Sequence, residues 1–200
     1  MNKDGHYNEG FSENSGVKIF YRDYGPKDGD PILMVHGLGA QLVHWPIHLI
    51  NFLQANNFRP ITYDNRDVGL SSRFLNTPSF VIDYVKYFLR LPIKSEYTID
   101  DMASDGINLL DTLNIKKTHI FSTSMGGMIA QIISAQYPER VKSFTLIAST
   151  ASTPSPINAP KKAVRDIMME RSKNPNASHE EILEREIRMV SLIGMDGRIV

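Results

Sequence analysis

Ser124 is the residue through which this sequence offers chemistry. It lies in residues 121–130, FSTSMGGMIA, where a short apolar run reaches Ser122-Thr123-Ser124-Met125-Gly126-Gly127 and passes at once into a helical pattern. A strand, a sharp turn and a helix in that order lift a serine hydroxyl above the sheet edge. The backbone N–H of the next residue, Met125, then points at an oxyanion forming beside that hydroxyl, which is the geometry of acyl transfer. So tight a turn needs small residues two before and two after the serine, and the usual pattern is Gly-x-Ser-x-Gly. Gly126 meets it. Ser122 stands where the first glycine would be and adds a hydroxymethyl group at a crowded spot.

A second loop bears on the same chemistry. Pro31-Ile32-Leu33-Met34-Val35 is a continuous apolar run, the mark of a central strand covered on both faces, and it enters His36-Gly37-Leu38-Gly39. Glycines on either side of Leu38 allow the backbone close to a ligand, so the Leu38 N–H is the candidate second oxyanion donor beside that of Met125. A glycine-rich strand-to-helix turn without a ligand has the same composition. Gly37, Trp45 and Met128, with Val43 nearby, are the candidate pocket walls. A third loop, Asp64-Asn65-Arg66-Asp67-Val68-Gly69-Leu70-Ser71, is rich in charge and turn residues, and Asp64 with Arg66 is expected to form a pair that fixes it.

The elements that must position these loops follow from periodicity. Residues 7–13 and 17–24 read as strands joined around Asn14-Ser15-Gly16; further strands are expected at 31–35, 58–63, 118–121 and 141–148. Pro60 argues against a fully bonded central position, so the strand at 58–63 is expected to be short or bulged. Helices are expected near 44–53, at 79–91, after Thr98-Ile99-Asp100-Asp101, and over the segment that Tyr137-Pro138 ends. Strands alternating with helices predict a largely parallel sheet with helices on both faces and a site at the strands' carboxyl ends. After Ser149 the texture changes to a Ser/Pro linker and two amphipathic helices, roughly 160–173 and 179–193, the second opened by a capping box at Ser178-His179-Glu180-Glu181. The expected organisation is a core over 1–150 and a helical cap, or lid, over 151–200.

Composition narrows the partners. Lys+Arg and Asp+Glu both count 22, and 42% of the 200 residues are hydrophobic, so no global field favours nucleic acid or an anionic membrane. No apolar stretch approaches the roughly 20 residues of a membrane span. Without cysteine there is no disulfide framework, and the polar start lacks a signal-peptide core, which predicts a cytoplasmic protein. No metal site is expected: His44 and His48 sit at i, i+4 without a third ligand. No cofactor is implied, because neither glycine loop supplies a GxGxxG or a P-loop lysine.

The three motifs, in this order and about 27 and 60 residues apart, make the chain resemble the first two thirds of an α/β-hydrolase fold protein, most closely the bacterial serine hydrolases of carboxylesterase and methylesterase type. The resemblance implies Ser124 as nucleophile, the N–H groups of Leu38 and Met125 as oxyanion hole, and a small-molecule ester as substrate. Cofactor-free haloperoxidase, thioesterase and carbon–carbon hydrolase activities belong to the same fold and stay open. The departure lies downstream. An acid and then a histidine should follow the serine, yet after Ser124 the only histidine is His179 and the only aspartates are Asp166 and Asp196. His179 reads as a helix start. The strand at 141–148 would also carry an uncovered apolar edge, which native folds avoid. Both points lead to the expectation of a longer hydrolase whose acid and histidine lie beyond Val200, these 200 residues being nearly inactive. The rival is a non-catalytic binder holding a small apolar ligand.

Overall fold

The computed structural model describes residues 7–74, 95–151 and 178–193, together with 162, 163, 166, 167 and 170. Two compact units divide the chain, Met1–Ala151 and Ser152–Val200. In the first, six strands form one sheet: β1 (Asn8–Asn14), β2 (Val17–Asp23), β3 (Asp30–Val35), β4 (Phe58–Tyr63), β5 (Thr118–Thr123) and β6 (Val141–Ile147), in the order β1-β2-β4-β3-β5-β6. β1 and β2 are an antiparallel hairpin. Its two-residue loop places Ser15 at φ 50 and Gly16 at φ 80, as a turn matching the strand twist requires. From β4 to β6 all pairings are parallel, as expected of strands joined through helices.

Among the described residues of this unit, three α-helices stand: α1 (Ile47–Ala55), α2 (Ile99–Thr112) and α3 (Met125–Gln136). Thr98 caps α2 reciprocally. Its Oγ1 accepts the Asp101 N–H at 3.2 Å while Asp101 Oδ2 accepts the Thr98 N–H at 2.7 Å. The apolar faces of α2 and α3 bury Leu109, Leu110, Ile129 and Ile133 with Leu33, Val35, Ile61 and Ile120 of the sheet. A second cluster joins Trp45, Ile50 and Leu53 to Tyr24, Ile32 and Met34. Helices thus cover both sheet faces. In the second unit, α4 (His179–Ile193) begins with the expected capping box: the Ser178 N–H donates to Glu181 Oε2 at 2.7 Å and the Glu181 N–H to Ser178 Oγ at 3.2 Å. The helix expected at 79–91 lies outside the described residues, as does most of that expected at 160–173.

Two expectations are corrected. Pro60 lies in an interior strand, β4, between β2 and β3, with no register shift in its pairing to β3. The strand tolerates it because the β2–β4 ladder ends at Asp23↔Ile61. There the Pro60 carbonyl accepts the Tyr24 N–H at 2.9 Å, and the missing proline N–H falls where that ladder has stopped. The second correction concerns Arg66. It pairs with Asp105 on α2 at 2.6 Å, not with Asp64.

β6 closes the sheet on one side, and Phe144, Leu146 and Ile147 are exposed on it, Phe144 to 45%. No helix among the described residues is long and apolar enough to cross a membrane.

Candidate active site

Ser124 sits between β5 and α3 with φ 52 and ψ −122, a conformation L-residues avoid at a cost of roughly 1–3 kcal/mol. Its N–H donates to the Ile147 carbonyl at 2.9 Å and its carbonyl accepts the Gly127 N–H at 2.9 Å, so both arms of the turn are held. The side chain is exposed. Gly126 is required by contact: a Cβ there would overlap the Val35 carbonyl oxygen and lie 2.7 Å from that of His36, the end of β3 and the start of its loop.

Ser122, the departure from the usual pattern, is fully buried, and its Oγ donates to the Thr145 carbonyl of β6 at 2.9 Å. It does not take a positive φ. The hydroxymethyl group is accommodated because the neighbouring strand offers an acceptor, so the extra polar atom is satisfied instead of stranded.

The 36–39 loop lies against the elbow. A Cβ on buried Gly37 would be 3.0 Å from Ser124 Cβ and 3.5 Å from its Oγ. Leu38 is 69% exposed, and its N–H has no backbone acceptor among the described residues. Met125, half-buried, is the first residue of α3, so its N–H is one of the donors a helix leaves unpaired at its start. Met128 is half-buried one turn further on. Trp45 is deeper than a pocket wall needs: its ring stacks on His36 with centroids 3.9 Å apart and meets Phe121 edge-on at 5.5 Å. It supports the loop through His36.

His36 is held neutral. Burial first, and the neighbouring His44 second, lower its pKa from the ordinary 6.5 to about 4. Neither His36 Nε2 nor Trp45 Nε1, both buried, has a hydrogen-bond partner among the described residues. No histidine among the described residues bonds Ser124. Asp166 pairs with Lys162 at 2.7 Å, and the His179 side chain lies outside the described set.

The Asp-Asn-Arg-Asp segment proves to be the support of this site, which sequence reasoning had reduced to one ion pair. Asp64, buried, accepts the Leu42 N–H at 2.7 Å and the Leu70 N–H at 3.0 Å, and a Cβ on Gly69 (φ 53) would collide with its carboxylate. Asn65 Nδ2 donates to the His36 carbonyl at 3.2 Å. Arg66 reaches both Asp105 oxygens, and burial raises the Asp105 pKa even though Arg66 opposes the shift. Asp67 accepts the Tyr97 hydroxyl at 2.7 Å and the Phe74 N–H at 2.7 Å. The signal available was composition: four polar residues directly after an apolar strand, in a loop whose own backbone groups need partners. Among the described residues no group of acidic or histidine side chains could hold a metal ion.

Known proteins resemble this chain in sequence and fold. The family model described as "alpha/beta hydrolase fold" matches residues 30–180. Rhodomycin D methylesterase of Streptomyces sp. strain C5 is 25% identical over 197 residues, covering 90% of this chain and 60% of that protein. A putative carbamate hydrolase of Variovorax paradoxus is 29% identical over 131 residues, covering 66% of this chain and 42% of the relative. Among solved structures, a carboxylesterase study of the thaumarchaeon Nitrososphaera gargenis superposes with a TM-score of 0.61 at 22% identity, over 84% of this chain and 53% of that one. The chain thus spans about three fifths of the length of the methylesterases it matches. With the elbow, the strand order and the family match in agreement, the chain belongs to the α/β-hydrolase fold family.

Proposed function

We infer that this chain carries the nucleophile half of a serine hydrolase that cleaves small carboxylic esters through an acyl-enzyme on Ser124. The observation that supports the reading best is the strained, exposed turn at Ser124: φ 52 is kept by a non-glycine residue while Gly37 packs against it from the loop after β3 and Gly126, on α3, packs against the end of β3. Strain of this kind persists only where the surroundings over-determine it, and it serves to present a hydroxyl. In the proposed reaction Ser124 Oγ attacks the ester carbonyl. The N–H groups of Leu38 and Met125 receive the oxyanion, and the alcohol departs with the proton that a base collected. Gly37 and Met128 border the reacting group, with Trp45 behind them.

Ester chemistry is supported by the methylesterase relatives. The acid and histidine are proposed to come from chain beyond these 200 residues, consistent with the share of the relatives' length that is matched and with the open edge of β6. Residues 151–200 are assigned as cap on their pattern of two amphipathic segments without a strand.

The test is hydrolysis of p-nitrophenyl acetate and butyrate by the chain extended to its natural stop codon, beside Ser124→Ala. The alanine variant should lose at least 10³-fold in rate, since removing a serine nucleophile leaves only oxyanion-hole and binding contributions. Equal rates, or none in either protein, would overturn the assignment in favour of a small-ligand binder.

A further inference from the structure

A second serine lies at the other end of the sheet. On β6, Ser143 Oγ is 2.7 Å from His119 Nδ1 on β5, and His119 Nε2 is 3.3 Å from Asp30 Oδ2 at the start of β3. Lys142 Nζ also contacts the Asp30 carboxylate. These residues are remote from Ser124: His119 is the second residue of β5 and Ser124 follows its last, about 16 Å away along an extended strand.

Strand alternation would send Lys142 and Ser143 to opposite faces. The β5–β6 ladder shifts register between Thr118 and His119, pairing Val141 with Thr118 and Ser143 with His119 and leaving Lys142 as the extra residue. Such a bulge re-aims side chains, and here both neighbours reach the same cluster.

The direction of the hydrogen bonds follows from the groups. Lys142, then His119, hold Asp30 below the ordinary carboxylate range, so it is ionised and can only accept. In the neutral imidazole, His119 Nε2 then carries the proton donated to Asp30 and Nδ1 is the lone-pair nitrogen, to which the Ser143 hydroxyl donates. That polarity is what general-base activation of a serine requires. A purely structural bridge would be satisfied with either polarity.

We propose that Ser143, His119 and Asp30 form a second nucleophilic site that accepts acyl groups from small, activated, unhindered esters. Ser143 Oγ attacks the carbonyl carbon as its proton passes to His119 Nδ1. The C–O bond to the leaving alcohol then breaks, the alcohol takes that proton, and water later releases the acid from the serine ester by the same relay. Ser143 is exposed, and His119 and Asp30 keep 27% and 40% of their side-chain surface. With no enclosing wall among these residues, the site suits small reagents and confers no chain-length selectivity.

The site is independent of the Ser124 assignment, and the experiment separates the two. Fluorophosphonate probe is applied to the chain extended to its natural stop codon as wild type, Ser124→Ala, Ser124→Ala/Ser143→Ala and Ser124→Ala/His119→Gln, with the labelled peptide identified by mass spectrometry. Here the P–F bond breaks, a P–O bond forms on serine, and fluoride leaves. Ser124→Ala should still label, on Ser143. Ser143→Ala should abolish that label and His119→Gln should reduce it at least 100-fold, the range expected on losing a general base. Absence of label on Ser143, or equal labelling with glutamine at 119, would overturn the proposal whatever happens at Ser124. Asp30→Asn keeps the imidazole in place and must also slow labelling; if it does not, the relay is not in use. Circular dichroism of each variant separates a lost relay from a lost fold.

Discussion

Ser124 and Ser143 are the same hydroxyl in two opposite situations. Ser124 stands on a strained turn, against the Gly37 backbone and beside the unpaired N–H of a helix start, with no histidine bonded to it among the described residues. Ser143 stands on a strand with an imidazole and a carboxylate in line, without strain and without a helix terminus. Nucleophilic catalysis needs both halves, a base to take the proton and donors to take the charge. Strained backbone geometry requires several elements to meet at one point, and a polar relay does not. The sheet builds the first at its carboxyl ends, where loops converge, and the second across three adjacent strands.

Changes at either end should sharpen this contrast. The largest effect is expected from Arg66→Met, which leaves Asp105 buried without its partner. The loss should be about 3–5 kcal/mol, read as a fall of some 10 °C in thermal midpoint, with reactivity at Ser124 falling because the loop that holds the His36 carbonyl is released. Gly126→Ala should come next at about 3 kcal/mol, since the new methyl meets the Val35 carbonyl, a backbone atom that cannot turn away. Probe labelling at Ser124 should drop while that at Ser143 persists. A parallel drop at both would mean that the two ends are not separable.

Acid should weaken the Ser124 end through His36. Its folded pKa, about 4, lies below the ordinary 6.5, so between these values the unfolded chain binds a proton that the folded chain does not. Stability therefore falls as pH drops from 6.5 towards 4 and gains no further dependence from this group below that. Melting temperatures of wild type and His36→Phe across this window should diverge, the phenylalanine variant losing less; parallel curves would remove His36 as the cause. Smallest is Ser122→Ala, about 1 kcal/mol for one buried hydrogen bond to Thr145, measured by urea denaturation.

Much of this molecule was legible because its signals are local. The apolar run Pro31–Val35, the Thr98 and Ser178 caps and the Asn14-Ser15-Gly16 turn each act within a few residues, and each of the elements they mark stands within a residue or two of its expected place. Ser124 was legible for the same reason: strand, turn and helix are consecutive. What escaped was long-range. Arg66 chose Asp105, 39 residues away, over Asp64, two away, because Asp64 was already occupied by the Leu42 and Leu70 N–H groups. Pro60 reads as unfit for an interior strand until the place where β2 stops pairing is known.

By itself the sequence determined the order of strands and helices, the elbow and the glycines around it, since hydrophobic period and steric freedom are properties of neighbouring residues. Tertiary structure alone decided that the Ser122 hydroxyl would find Thr145, that the carbonyl facing Gly126 would be that of Val35, and that Ser143, His119 and Asp30 would line up across three strands. His119 is 24 residues from Ser143 and 89 from Asp30. Their meeting depends on which strands are adjacent and on one shift of register, and a side chain's partner is set by that register and not by its place in the chain.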